Sequence, residues 1–449
     1  MKWGFKMNIY KKSIILAICF SLLNIQAFAS PVNVLLINRL NVEHHLLEHH
    51  ISMVALDFKN GAISFLFDLS SNPDFEIESA DKQAARANPD SLFAFGLVSN
   101  PKYTVESADK DIARSTPDDL FAAALALNPN YPIESSDIEI MRNNPGSSLA
   151  YGLTQNPNYV IEDADKSIAR SNIDKDFALG LAQNPNFMVE SQDKDIVKNN
   201  PDVLFSEGIA RNSTYQIEAA DKLLAQNNPN SEFTLGLLQN PNFQIETSDI
   251  EFARSNTDTV FALRLTQHAD YMIESTDKEI ARKNPTSKFT EGLVQNPGFQ
   301  PDSKNIKIAR KILNSQFAQF ITKRADYTVT EKDKKLARRS LNSRFSFGIA
   351  QNPNYTVDSK DKNIARKNIN SLFAFSLASN SNYAIESEDK IIARENFNTG
   401  FAYGITQNSN FVIDSEDKTI ARDNHNSAFA IGITQHTNIN NGVIDFLKK

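Results

Sequence analysis

The chain has little cysteine and little tryptophan: one of each in 449 residues, Cys19 and Trp3, both close to the N-terminus. Residues 1–29 read as a removable leader. The processed chain then holds neither residue, which excludes a disulfide framework, a thiol nucleophile, a zinc finger and an iron–sulfur site. No G-x-x-x-x-G-K-[ST], G-x-G-x-x-G or G-x-S-x-G element occurs, so nothing points to phosphate cradling, dinucleotide binding or a nucleophile elbow. Beyond the leader no apolar run is long enough to cross a bilayer. Apolar content is nonetheless 41%, ample for a packed core.

The leader has Lys11 and Lys12 ahead of an apolar stretch from Ser13 to Ile25, then Ala27-Phe28-Ala29 as a small-x-small cleavage site. That is the pattern of a secretory signal, and it predicts an exported protein, periplasmic or extracellular in a bacterium. The leader carries four lysines and no acid, leaving 43 basic against 54 acidic residues, a net of −11. Such a balance disfavours nucleic acid as a partner.

What the sequence has in abundance is repetition. Asp81, Asp109, Asp137, Asp165, Asp193, Asp221, Asp249 and Asp277 stand 28 apart; Asn305 takes the next place, and Asp333, Asp361, Asp389 and Asp417 resume the series. Thirteen copies run from Asn72 to Gln435 without insertion or deletion. Each predicts two short helices of about 8 and 11 residues and an extended link, with Ser79 and Asn88 as the caps of copy one. Helices this short are marginal alone, so stacking must supply the core. Phe fills the Phe93 position in 12 copies, with Leu149 as the exception, and an aromatic fills the Phe75 position in all 13. Gly recurs at the Gly96 position in nine copies, which predicts close approach of a neighbour. The fold class is therefore all-α: a solenoid of 13 two-helix repeats spanning 72–435, with residues 30–71 and 436–449 as terminal caps. At about 8–10 Å per layer, an open stack would be a curved rod on the order of 100 Å or more. A β-solenoid would need strand alternation throughout, which is absent.

The phrase Ile280-Ala281-Arg282-Lys283-Asn284-Pro285-Thr286-Ser287 resembles the leucine-rich-variant and HEAT-like α-solenoids. The resemblance covers the repeat tract and implies an α-solenoid. It carries no catalytic residue across, since the copies here are longer and use Phe for much of the Leu.

Four features are candidates for chemistry or contact. His45-x-x-Glu48-His49 matches a zinc-peptidase pattern, with His45 and His49 as ligands and Glu48 as base. The repeats begin at residue 72, leaving little room for the rest of such a domain, and a polar face on a capping helix accounts for the same residues. The Asp81, Lys82 and Arg86 columns read as an inter-copy ion-pair ladder setting register, rather than a binding groove. The column between Ala94 and Gly96 is aromatic at Phe95, Tyr151, Phe347, Phe375 and Tyr403 but polar at Glu207, Glu291 and Gln319. Phe347, Phe375 and Tyr403 fall in consecutive copies, as a partner-contact row or as supplementary packing. Finally, residues 302–344 hold 12 Lys/Arg against four Asp/Glu. Lys307, Arg310, Lys311, Lys323, Arg324, Lys334, Lys335, Arg338 and Arg339 mark a site for an acidic protein or polyanion, or a basic layer balancing acidic neighbours. No cofactor is implied. The expected function is a non-catalytic exported scaffold for protein contacts, with an adhesin or envelope structural protein as the second reading and a zinc hydrolase at His45/Glu48/His49 as the third.

Overall fold

A computed structural model describes residues 75–435 apart from Pro101. The 1–29 leader, the 30–71 and 436–449 caps, and His45, Glu48 and His49 all lie outside the described residues. Among those residues there are 26 helices, two per copy, and no strand. They form two compact units: Val105–Tyr355, holding essentially copies two to ten, and the remainder, Met1–Thr104 with Thr356–Lys449, whose described part holds copies eleven to thirteen and copy one.

The first helix of copy one, Ser79–Ala87, begins at Ser79 itself, so its cap lies one residue earlier than the sequence suggests. Glu78 is the N-cap, and Asp81 closes a capping box by accepting the Glu78 backbone N–H at 2.8 Å. Serine at 79 is already helical, where its hydroxyl cannot reach the free N–H groups of the first turn. The cap of the second helix moves as well. Asn88 ends the first helix, its Nδ2 donating to the Ala84 carbonyl at 3.0 Å, and Ser91 starts the second by accepting Ala94 N–H at 3.1 Å. The intervening Pro89 and Asp90 form a turn, so the second helix is Leu92–Val98, 7 residues rather than 11.

Layers are locked by atoms that repeat every 28 residues. Within 105–355, Arg142 Nε donates to Asp165 at 2.7 Å and Arg142 Nη2 to Glu162 at 2.7 Å, joining copies three and four. Asp165 is fully buried; its second oxygen accepts the Glu162 N–H of its own capping box. Tyr131, Tyr215 and Tyr271 add a phenol hydrogen bond of 2.8–2.9 Å to the Asp of their own copy. Burial, then the adjacent carboxylate, pushes these phenols far above their ordinary pKa. The Asn column, read as a turn residue, also spans layers: Asn156 Nδ2 donates to the carbonyls of Ala126, in the last turn of the second helix of copy two, and of Asn128, which opens copy three. The link aromatic packs edge-on against the Phe of its own second helix, as in Phe187–Phe205 at 6.4 Å.

In the other unit, copies eleven, twelve, thirteen and one stack in that order. Phe401 N–H donates to Ile369, Phe429 to Phe397, and Phe93 to His425. Arg422 of copy thirteen donates to Asp81 of copy one at 2.7 Å, across 341 residues of sequence. The open-ended rod is thereby corrected: the end faces of copies one and thirteen meet each other.

Glycine in the second helix follows from the spacing of these layers. A Cβ at Gly152 would lie 2.7 Å from the Ala123 carbonyl oxygen and 2.7 Å from Ala126 Cβ. Gly152→Ala should therefore destabilise the protein by about 2 kcal/mol in urea unfolding, although Ala is the better helix former by about 1 kcal/mol. A neutral or stabilised variant would contradict the close packing.

Copy nine breaks the rung. Its first helix, Ser303–Ala309, is 7 residues long where every other copy has 9. Asn305 stands in the Asp column and turns Oδ1 to the Asp302 N–H, so its Nδ2 is left facing copy eight. Arg282 Nε, which elsewhere would meet a carboxylate, and Asn305 Nδ2 are both buried without a hydrogen-bond partner. Two donors meet where a donor and an acceptor belong. Asn305→Asp should raise unfolding stability by about 1–3 kcal/mol. No gain would mean that the two donors are not the defect.

Candidate interaction surface and buried polar set

The sequence-flagged basic residues divide once their contacts are known. Arg310 belongs to the ladder, donating to Asp333 at 2.7 and 2.8 Å. Arg324 forks onto Asp326 at 2.9 and 3.0 Å. Lys334 is buried, its ammonium 5.0 Å from the centre of the Tyr355 ring. Lys323 and Arg338 also have partners. These five are committed to the fold.

Lys307, Lys311, Lys335 and Arg339 are different, as are Lys304 and Lys332 beside them. All six are exposed, and none of their side chains makes a hydrogen bond or ion pair. Lys304 and Lys307 lie on the first helix of copy nine, with Lys311 in the turn that follows it, and Lys332, Lys335 and Arg339 lie on the first helix of copy ten. Spacings of three and seven keep the copy-ten trio on one helix face, about 10 Å long at 1.5 Å per residue, and a spacing of three does the same for Lys304 and Lys307. The Arg310–Asp333 ion pair brings the two helices side by side. The arrangement is thus a two-layer basic face. Glu279 of copy eight is engaged with Lys283 at 3.0 Å. Chemically, such a face concentrates anions and binds them in a salt-dependent way.

The aromatic row lies inside. Phe347 and Phe375 are each 4% exposed and Tyr403 6%. Phe375 and Tyr403 stack with ring centres 5.7 Å apart and planes 15° apart. As a partner surface these rings offer little area. Their burial has the same origin as the glycine column, the close approach of successive second helices.

Glu291 and Gln319, polar members of the same column, join polar side chains of other columns in a set that reading by columns does not assemble. Within copies seven to ten, Arg264 Nη1 donates to Gln267 at 3.0 Å, and Gln267 Nε2 to Gln295 at 3.0 Å. Arg344 Nη1 donates to Gln319 at 3.2 Å. Glu291 is 8% exposed, and its Oε1 has no hydrogen-bond partner; Gln295 Nε2, one turn along, has none either. Burial raises the Glu291 carboxyl from 4.5 to about 7, against the opposing pull of Arg344, Arg264 and Lys288. The available signal was the period-28 Gln column ending each second helix, seen in Gln239, Gln267 and Gln295.

Among the described residues no group of three or more His, Cys, Asp or Glu could hold a metal ion, and no helix is long and apolar enough to cross a membrane. No protein family, curated protein or solved structure matches the chain.

Because the folded value of Glu291 lies above the unfolded one, its ionisation opposes folding. The cost is absent below about pH 4.5, grows as pH rises, and is complete above about pH 7. Glu291→Gln should therefore raise stability more at pH 8 than at pH 5. Equal effects at both pH values would contradict the burial argument.

Proposed function

We propose that this chain is an exported, non-catalytic repeat scaffold that docks an acidic macromolecule, foremost a protein, on the basic face of copies nine and ten. The observation that carries the reading is the set of six exposed cations whose side chains are unpaired, five on two adjacent helices and Lys311 in the turn that follows the first of them. Elsewhere the repeat directs its regular cations into the next layer; Lys82 and Arg422 are examples, donating to Thr104 and Asp81. Cations left exposed and unneutralised add nothing to layer register, and at a net charge of −7 the rest of the chain is acidic. The export assignment rests on Lys11, Lys12, the apolar stretch from Ser13 and the Ala27-Phe28-Ala29 site. The finer assignment, to the leucine-rich-variant or HEAT-like class, rests on the I-A-R-x-N-P-x-S phrase.

The test is binding of poly-glutamate by the full chain and by a Lys304→Glu/Lys307→Glu/Lys332→Glu/Lys335→Glu variant. None of the four side chains contributes to a ladder rung, so the fold should persist by far-UV circular dichroism. Affinity should fall at least tenfold, about 1.4 kcal/mol, and the remaining binding should lose most of its salt dependence. Unchanged affinity in the folded variant would sink the reading.

A further inference from the structure

The contact between copies thirteen and one repeats the main polar contacts between copies twelve and thirteen. Arg394 Nε meets Asp417 at 2.8 Å; Arg422 Nε meets Asp81 at 2.7 Å. Lys390 reaches Asp414 at 3.1 Å, the Val412 carbonyl at 2.7 Å and the Phe411 ring at 4.8 Å. Lys418 reaches Glu78 at 2.7 Å, the Glu76 carbonyl at 3.0 Å and the Phe75 ring at 5.4 Å. The register bond is also kept, Phe93 N–H to His425 at 3.2 Å. Two things differ. Arg394 also pairs with Glu416, whose place in copy one is taken by Ala80. Consecutive copies are joined by a link peptide, whereas this junction is held by non-covalent contacts alone.

Its two faces are complementary to each other but not to themselves. Copy thirteen supplies Lys418 and Arg422; copy one supplies Phe75, Glu78 and Asp81. That is a heterologous interface, which like faces cannot satisfy. Opening it frees the Phe93 N–H from the His425 carbonyl and uncovers the Gly96 position, where a Cβ would lie 2.3 Å from Thr434 Oγ1. An open copy-one face therefore gains most by meeting a copy-thirteen face, and only two sources exist: its own chain or another molecule of the same sequence. The contacts are the same in both cases. What separates them is effective concentration, about millimolar for a tethered pair.

We propose that this junction is a reversible seam and that the partner its faces fit is a second copy of this chain, with copy thirteen of one molecule stacked on copy one of another. The half-exposed Lys418–Glu78 pair makes the exchange faster as salt is raised. The proposal is independent of the basic face.

The experiment mixes full chains grown in ordinary and in heavy nitrogen, over about 10 µM to 1 mM, the upper end being the effective concentration of a tether. A carbodiimide then couples the Lys418 amine to the Glu78 carboxylate at zero length, and the digested products are read by mass. The expected result is a mixed-isotope Lys418–Glu78 product, scarce at the lowest concentration and exceeding about a tenth of the product near 1 mM. The Lys390–Asp414 product, an internal rung of one chain, should stay single-isotope throughout. Absence of mixed-isotope Lys418–Glu78 product at every concentration overturns the proposal. So does mixing at Lys390–Asp414 to the same extent, which would signal exchange through global unfolding or random collision.

Discussion

Nearly every described layer depends on a buried aspartate with two obligations. One oxygen closes the first turn of its own helix; in most copies the other receives an arginine from the preceding copy. Neither half would justify a buried charge alone, because taking a carboxylate out of water costs several kcal/mol unless its lone pairs are filled. Together they fill them, as Asp165 does with the Glu162 N–H and Arg142. The consequence is that helix formation and layer stacking are coupled at one side chain. Neither short helix has to be stable by itself, and a layer cannot slip without uncapping a helix.

A second cation column runs beside the first. The lysine that follows most of the aspartates crosses to the next copy and rests over its link aromatic, as Lys222 does 5.1 Å from the Phe243 ring. Lysine suits this place because its stem covers apolar surface while the ammonium meets a ring, a carbonyl and a carboxylate together. The regular charges of the repeat are thus consumed internally, and this gives the irregular, exposed lysines of copies nine and ten their meaning.

The columns made much of this legible in the sequence. Period 28, the aspartate–arginine ladder and the tight approach at glycine all follow from residues that recur in nearly every copy. Capping was less legible: in E-S-x-D both Glu78 and Ser79 are plausible starts, and the reciprocal bond between Glu78 and Asp81 decides. Phe347, Phe375 and Tyr403 were hard to place because their column also holds glutamates, and a column average cannot say which layers are dry. Arg264, Glu291 and Gln295 sit in different columns, so only three-dimensional placement brings them together. The meeting of copies one and thirteen leaves no local trace, since its signals are those of any two neighbours.

Asn305 gives copy nine a different relation to chemical ageing. Hydrolysis of an asparagine amide is ordinarily damage, because it adds a charge the surroundings were not built to hold. At this position the surroundings were built for one: an arginine and a helix N-terminus already frame the site. Loss of ammonia from Asn305 would supply the carboxylate that twelve other copies carry, so an old molecule would be more regular than a new one.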